Sequence, residues 1–126
     1  HGMIDDEVRY MADQQTNQWQ INPHVMLLKE TNDFDDLRRE KKILVVLFTV
    51  KWDSTSKLAR QSFHQLAGSL VTLEHLHLLD IDCYDWTEIC EREMIHEWPT
   101  LVVEDRQGNT HRYSGSTDPH QILLFV

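Results

Sequence analysis

Cys83 and Cys90 are the two cysteines of this 126-residue chain, and they are the first candidates for chemistry. Only a thiolate attacks a disulfide, and neither residue sits in the Cys-x-x-Cys context at a helix start that lowers a thiol pKa. Packed as small apolar residues, both would instead serve a core. The run Asp53-Ser54-Thr55-Ser56 offers hydroxyl groups. A serine nucleophile needs a positioned base, however, and none of the eight histidines has a sequence relation to Ser56 that places one beside it. Ser54 to Ser56 therefore read as helix caps. His75 and His77 alternate on one strand face, but no Cys or carboxylate spacing completes a metal site around them, so they read as surface histidines. Asp33, Asp35 and Asp36 lack the spacing and glycine of a calcium loop and read as a solvated helix start. Neither a metal nor a cofactor is expected.

The elements that would carry these residues follow from periodicity. Val25 to Leu28 is a short apolar run after Asn22-Pro23 and predicts an edge strand. Thr31, Asn32 or Asp33 can cap a helix running to about Lys41, with Phe34 and Leu37 facing inward. Ile43 to Thr49 is continuously apolar and β-branched, as a strand covered on both faces requires. After a loop at Lys51 to Ser54, residues Thr55 to Leu70 place Ala59, Phe63, Leu66, Ala67 and Leu70 at helical spacing, with a Ser or Thr as cap. Leu76 to Asp82 predicts a second central strand, and Trp86 to Met94 a helix carrying Ile89 and Cys90 inward. Beyond Trp98-Pro99, Thr100 to Glu104 and His111 to Ser114 form a hairpin around the turn signal Gln107-Gly108-Asn109. Asp118-Pro119 then opens a last helix. A βαβ half followed by a ββα half is an α/β layout with a mixed central sheet flanked by helices.

Composition narrows the function classes. A chain with 40% hydrophobic and 26% charged residues is that of an ordinary globular domain, and its length encloses one core. The net charge of -9 repels phosphate backbones and anionic lipid, so no nucleic-acid partner is expected. The run Ile43 to Val50 is too short to span a bilayer, so this domain is not expected to insert in a membrane. Residues 1–22 read as a cloning remnant, His1-Gly2-Met3, plus an N-terminal extension or linker, and residues 23–126 as the domain.

The element order, with Phe48, Trp52, Lys57 and Phe63 ahead of Trp98-Pro99-Thr100 and Gly115, resembles the thioredoxin family from about Val25 to Val126. The spacing from Pro99 to Gly115 is that of the family. The resemblance implies a thioredoxin fold with a cis peptide bond between Trp98 and Pro99. It also shows what has changed. Where the family carries Trp-Cys-x-x-Cys-Lys, this chain reads Trp52-Asp53-Ser54-Thr55-Ser56-Lys57, and where the family buries a proton-accepting acid it has Leu47. Both changes remove parts of one mechanism, so the chain is expected to be redox-inactive, not an enzyme, and without catalytic residues. Cys83 and Cys90, one after the second central strand and one on the next helix, are similar to the Cys-x6-Cys pair of protein disulfide isomerase-family domains. They are then either a disulfide or two buried thiols.

Two binding readings follow, and a third reading, an enzyme working through Cys83 and Cys90, ranks behind them. The first is a non-catalytic, chaperone-like domain of a multidomain disulfide isomerase-type protein of the endoplasmic-reticulum lumen, binding a polypeptide client or a partner protein. The second is a cytosolic or nuclear adaptor with reduced cysteines. In either, contact is expected on the face built from Trp52, Asp53, Ser54, Thr55, Ser56, Trp98, Pro99 and Thr100, where related domains dock extended peptides. Trp52 is either part of that apolar patch or a buried support for the loop.

Overall fold

The computed structural model describes residues 21–70 and 75–114. Its elements are β1 (Val25–Met26), α1 (Asn32–Arg39), β2 (Ile43–Thr49), α2 (Ser54–Leu70), β3 (Leu76–Asp82), α3 (Thr87–Arg92), β4 (Thr100–Glu104) and β5 (Thr110–Ser114). The strands form one sheet in the order β1-β3-β2-β4-β5. β1 and β2 run parallel to β3, whereas β4 is antiparallel to β2 and to β5. This is the expected mixed sheet, with β1 at one edge. The expected last helix at Asp118-Pro119, Gly115 and the extension before residue 21 lie outside the described residues.

β2 is the centre because every one of its residues is buried, which the apolar run without alternation required. Its side chains divide between two core layers. Val45 and Leu47 face α2 with Phe63 and Leu66, while Leu44, Val46 and Phe48 face α1 and α3 with Phe34, Ile81 and Ile89. Each buried Leu, Ile or Phe contributes about 1.5–3 kcal/mol of transfer free energy, so this central strand and its two cover layers hold the domain.

The start of α2 differs from the sequence expectation in one respect: a carboxylate, not a hydroxyl, caps it. Thr31 makes no side-chain cap bond. Asp33 Oδ2 accepts the backbone N–H groups of Glu30 and Lys29, 2.9 Å each, in the turn ahead of the helix, and these bonds hold its carboxyl below the usual range. At α2 the Asp53 carboxylate accepts the N–H of Ser56 at 2.8 Å. The helix consequently starts at Ser54, one residue earlier than its apolar period indicates. A charged acceptor is the stronger partner for an orphan helix donor, and it is favoured at the positive end of the helix dipole.

Alternation along β3 has a consequence for chemistry. Leu78 belongs to the layer under α2, whereas Leu79, Ile81 and Cys83 belong to the layer under α1 and α3. Asp80, in step with Leu78, is thus directed to the α2 side, opposite to Cys83. In register it stands across from Leu47 on β2.

Candidate functional site

The site is built at the end of the sheet where β2 and β3 run out together. β2 ends at Thr49, whose carbonyl accepts the N–H of Cys83 at 2.8 Å, so the chain leaving β2 and the chain leaving β3 are tied side by side. The antiparallel register of β4 pairs Thr100 with Phe48, which brings Trp98-Pro99 into β4 beside the same end of β2. The Trp98-Pro99 bond is cis.

Of the eight residues expected to form a binding face, those the structure leaves exposed are Trp52, Ser54, Thr55 and Trp98. Trp52 is 63% exposed and Trp98 38%, so Trp52 is no buried support. Asp53 is half-buried with one oxygen committed to the α2 cap. Ser56 is buried and its Oγ accepts the N–H of Val50 at 3.3 Å, which closes the loop onto the helix. Pro99 and Thr100 are also buried, and the Thr100 hydroxyl donates to the Glu97 carbonyl at 2.7 Å. Asp53, Ser56 and Thr100 thus spend hydrogen bonds inside the loop, and the accessible surface is two tryptophans with the hydroxyl residues Ser54 and Thr55.

A residue that the sequence reading missed packs against Trp52. Tyr84, 61% exposed, meets the Trp52 ring edge to face with centroids 5.4 Å apart. The Lys51 ammonium lies 4.9 Å from the Tyr84 ring centre and donates to Asp85 at 3.1 Å. Asp85 raises the Lys51 pKa above its usual value, mainly through that hydrogen bond, with desolvation opposing and the charges of Asp85 and Asp82 assisting. The only sequence hint was that Tyr84 follows Cys83 in a turn; its partner Trp52 is distant along the chain.

The two cysteines settle the alternative left open above. Cys83 and Cys90 form a disulfide with Cα atoms 5.7 Å apart, and both residues are buried, 6% and 3% exposed. The bridge joins the end of β3 to α3, a helix of six residues whose N-cap residue, Trp86, makes no side-chain cap bond. Its backbone support comes from the Asp82 carbonyl, which accepts the N–H groups of Asp85 and Trp86, and from the Thr87 hydroxyl, which donates to the Cys83 carbonyl at 3.1 Å. The far end is held by ion pairs of Arg92 with Asp35 and Arg38 with Glu93, and by Arg112, which donates to the carbonyls of Glu93 and Met94. Asp35 is therefore a docking group between helices and not merely a solvated charge.

A buried acid exists after all, though not at Leu47. The Asp80 carboxylate, 2% exposed, accepts from Nε2 of the fully buried His64 at 2.8 Å and pairs with Arg60. His64 Nδ1 accepts the Asn22 N–H at 3.0 Å, which assigns the His64 proton to Nε2. Asp80 and Arg60 also line a cavity of about 430 Å³ with Leu27, Leu28, Lys51, Asp82, Asp85 and Trp86. The cavity lies at the carboxyl ends of the parallel strands and reaches the segment closed by the disulfide through Asp85 and Trp86. Among the described residues no group of three or more His, Cys, Asp or Glu is placed to hold a metal ion.

Comparison with known proteins agrees with this geometry. The family model Thioredoxin matches residues 24–126. Over 82 residues, 65% of this chain and 10% of the relative, the sequence is 27% identical to human thioredoxin domain-containing protein 16. Over 102 residues, 81% of this chain and 20% of the relative, it is 24% identical to protein disulfide-isomerase of Humicola insolens. The chain thus spans a fifth or less of the length of these curated relatives. Among solved structures, thioredoxin from Trypanosoma brucei brucei superposes with a TM-score of 0.67 at 20% identity, over 79% of this chain and 85% of that one. The expectation that the chain is redox-inactive and not an enzyme is overturned by the Cys83–Cys90 disulfide within this fold. It rested on the lost sulfurs at Asp53 and Ser56 and gave too little weight to the surviving pair. The cysteine pair of this chain lies at the end of β3 and on α3, not at the start of α2.

Proposed function

This chain belongs to the thioredoxin family, and we propose that it is a thiol–disulfide exchange domain whose redox couple is Cys83–Cys90 and whose polypeptide substrate docks on the Trp52, Tyr84 and Trp98 face. The observation that carries the reading is the bridge itself, one residue from Tyr84 and hydrogen-bonded through Cys83 to the end of β2. The exchange is balanced without a cofactor. A substrate thiolate attacks one sulfur of the pair, forming a mixed disulfide and releasing the other cysteine as thiolate. A second substrate thiolate then attacks the substrate sulfur of that mixed disulfide and frees the remaining cysteine. Two electrons pass to the domain, and solvent supplies the protons that complete two thiols.

Both sulfurs are buried, so attack requires the Cys83 to Cys90 segment to open. A six-residue helix is well below the length that is stable alone, which makes this segment a suitable unit for local opening. Exposed aromatic rings suit the face to an extended polypeptide, to which they offer large apolar area. An oxidised cysteine pair persists in an oxidising compartment, and together with the likeness to a protein disulfide-isomerase this supports placement in the endoplasmic-reticulum lumen as one domain of a larger protein.

The test is oxidation of a reduced dithiol peptide by the stoichiometric oxidised domain. We expect the peptide disulfide to appear as the domain gains two titratable thiols, and no transfer from the Cys83→Ser/Cys90→Ser variant. Equal rates with and without the pair would reject the reading.

A further inference from the structure

We infer that the Trp52, Tyr84 and Trp98 face selects polypeptides whose cysteines are flanked by lysine or arginine. The inference rests on the function proposed above and names the substrate class of that docking face. Two observations combine in it: three exposed rings, and the charge of the chain that links two of them. From Asp82 to Glu97 the sequence carries Asp82, Asp85, Glu88, Glu91, Glu93 and Glu97 against a single Arg92. This acidic segment holds both cysteines and leads from Tyr84 to Trp98.

The cations around the segment are already engaged. Lys51 pairs with Asp85, Arg38 with Glu93 and Arg92 with Asp35, while Arg112 donates to the carbonyls of Glu93 and Met94. Glu88, Glu91 and Glu97 are exposed, and no ion pair engages them among the described residues. Glu88 and Glu91 stand three apart on α3 and share a helix face, which is the outer one because Ile89 and Cys90 are buried. Glu97 adjoins Trp98. On the Trp52 side, Lys57 is exposed in the first turn of α2 and opposes these carboxylates with one charge. The rings favour the same ligand. The Lys51 ammonium already lies 4.9 Å from the centre of the Tyr84 ring, whereas Trp52 and Trp98 carry no such cation among the described residues. An exposed indole face attracts an ammonium or guanidinium group through its quadrupole.

The reaction makes this charge decisive, because the attacking group is itself an anion. A polypeptide thiolate approaching three unpaired carboxylates is repelled, and its own flanking cations offset that repulsion. The same cations lower the pKa of the polypeptide's thiol and raise the fraction that can attack. In the exchange the polypeptide gives up two thiol protons and two electrons and closes its own disulfide. The Cys83–Cys90 bond takes the two electrons and opens to two thiols, with solvent supplying their protons.

The experiment offers the oxidised domain three synthetic dithiol peptides of one sequence, with lysine, glutamine or glutamate on both sides of each cysteine. Oxidation rates are measured at ionic strengths of about 0.02 M and about 0.5 M, between which the Debye length falls from about 20 Å to about 4 Å. Each rate is divided by that of the same peptide with hydroxyethyl disulfide, an uncharged small disulfide, which removes the intrinsic difference in thiol reactivity. On that ratio the lysine peptide should exceed the glutamate peptide by about tenfold at the lower ionic strength and by about twofold or less at the higher. The triple variant Glu88→Gln/Glu91→Gln/Glu97→Gln should cut the low-salt difference to about threefold. Equal ratios for the lysine and glutamate peptides, with transfer from all three, overturn the selection and leave the exchange function standing. A difference unchanged in the triple variant removes these carboxylates as its source and overturns the inference as well. Transfer from none of the peptides overturns the exchange function, and the selection with it.

Discussion

Asp80→Ala is expected to destabilise the domain by roughly 3 kcal/mol, a large part of the ~5–15 kcal/mol that a domain of this kind has. The carboxylate is almost fully buried on β3, and its removal takes away the acceptor that the Nε2–H of the buried His64 has there. Arg60, one-third exposed, can turn toward solvent, so its share of the loss is smaller. Asp80→Asn keeps an oxygen for His64 and surrenders only the charge, and it should therefore cost about half as much. Urea denaturation at neutral pH measures both. An Asp80→Ala loss below about 1 kcal/mol would mean that Asp80 and His64 do not depend on one another.

Removing the bridge by Cys83→Ser with Cys90→Ser is expected to cost about 2–3 kcal/mol, the loop-closure value for so short a loop. The loss should fall on one part of the molecule. Hydrogen exchange of backbone amides is expected to accelerate across residues 83–90, while β2 and β4, paired through the centre of the sheet, keep the protection of global unfolding. A domain that unfolds outright on losing the bridge would show that the bridge is essential to the fold. Uniform protection of residues 83–90 would show instead that α3 needs no tether. Either outcome speaks against local opening as the route to the buried sulfurs.

The strands were legible in the sequence because burial on two faces leaves a simple mark. Ile43 to Thr49, Leu76 to Asp82 and Thr100 to Glu104 appear in the structure with the bounds that their apolar runs indicate. Helix ends were less so. α1 and α3 are shorter than their periodic patterns, since apolar spacing says where a helix can pack and not where its last hydrogen bond closes. The cap of α2 was assigned to a hydroxyl because three candidates follow one another, whereas the preceding Asp53 carries the charge that wins the position. Asp80 could have been found: an acid in the middle of a central strand demands a partner, and His64 on α2 is one helical step after the inward Phe63. The Trp52–Tyr84 contact could not, because it joins two loops through the ends of two strands and nothing local encodes it. The functional error came from weighing the lost motif above the surviving cysteine pair. Asp53 and Ser56 do remove sulfur from the start of α2, but a bridged cysteine pair stands at the end of β3.

The central claim is that Cys83–Cys90 is a working couple and not a static brace, and a redox titration of the folded domain tests it most directly. The domain is equilibrated in thiol–disulfide buffers spanning a wide range of potential, alkylated, and analysed by mass for free Cys83 and Cys90, with near-ultraviolet circular dichroism read on the same samples. The account predicts a single reversible two-electron transition while the spectrum of the core persists. A bridge that stays closed throughout, or that opens only together with loss of the folded spectrum, would contradict it.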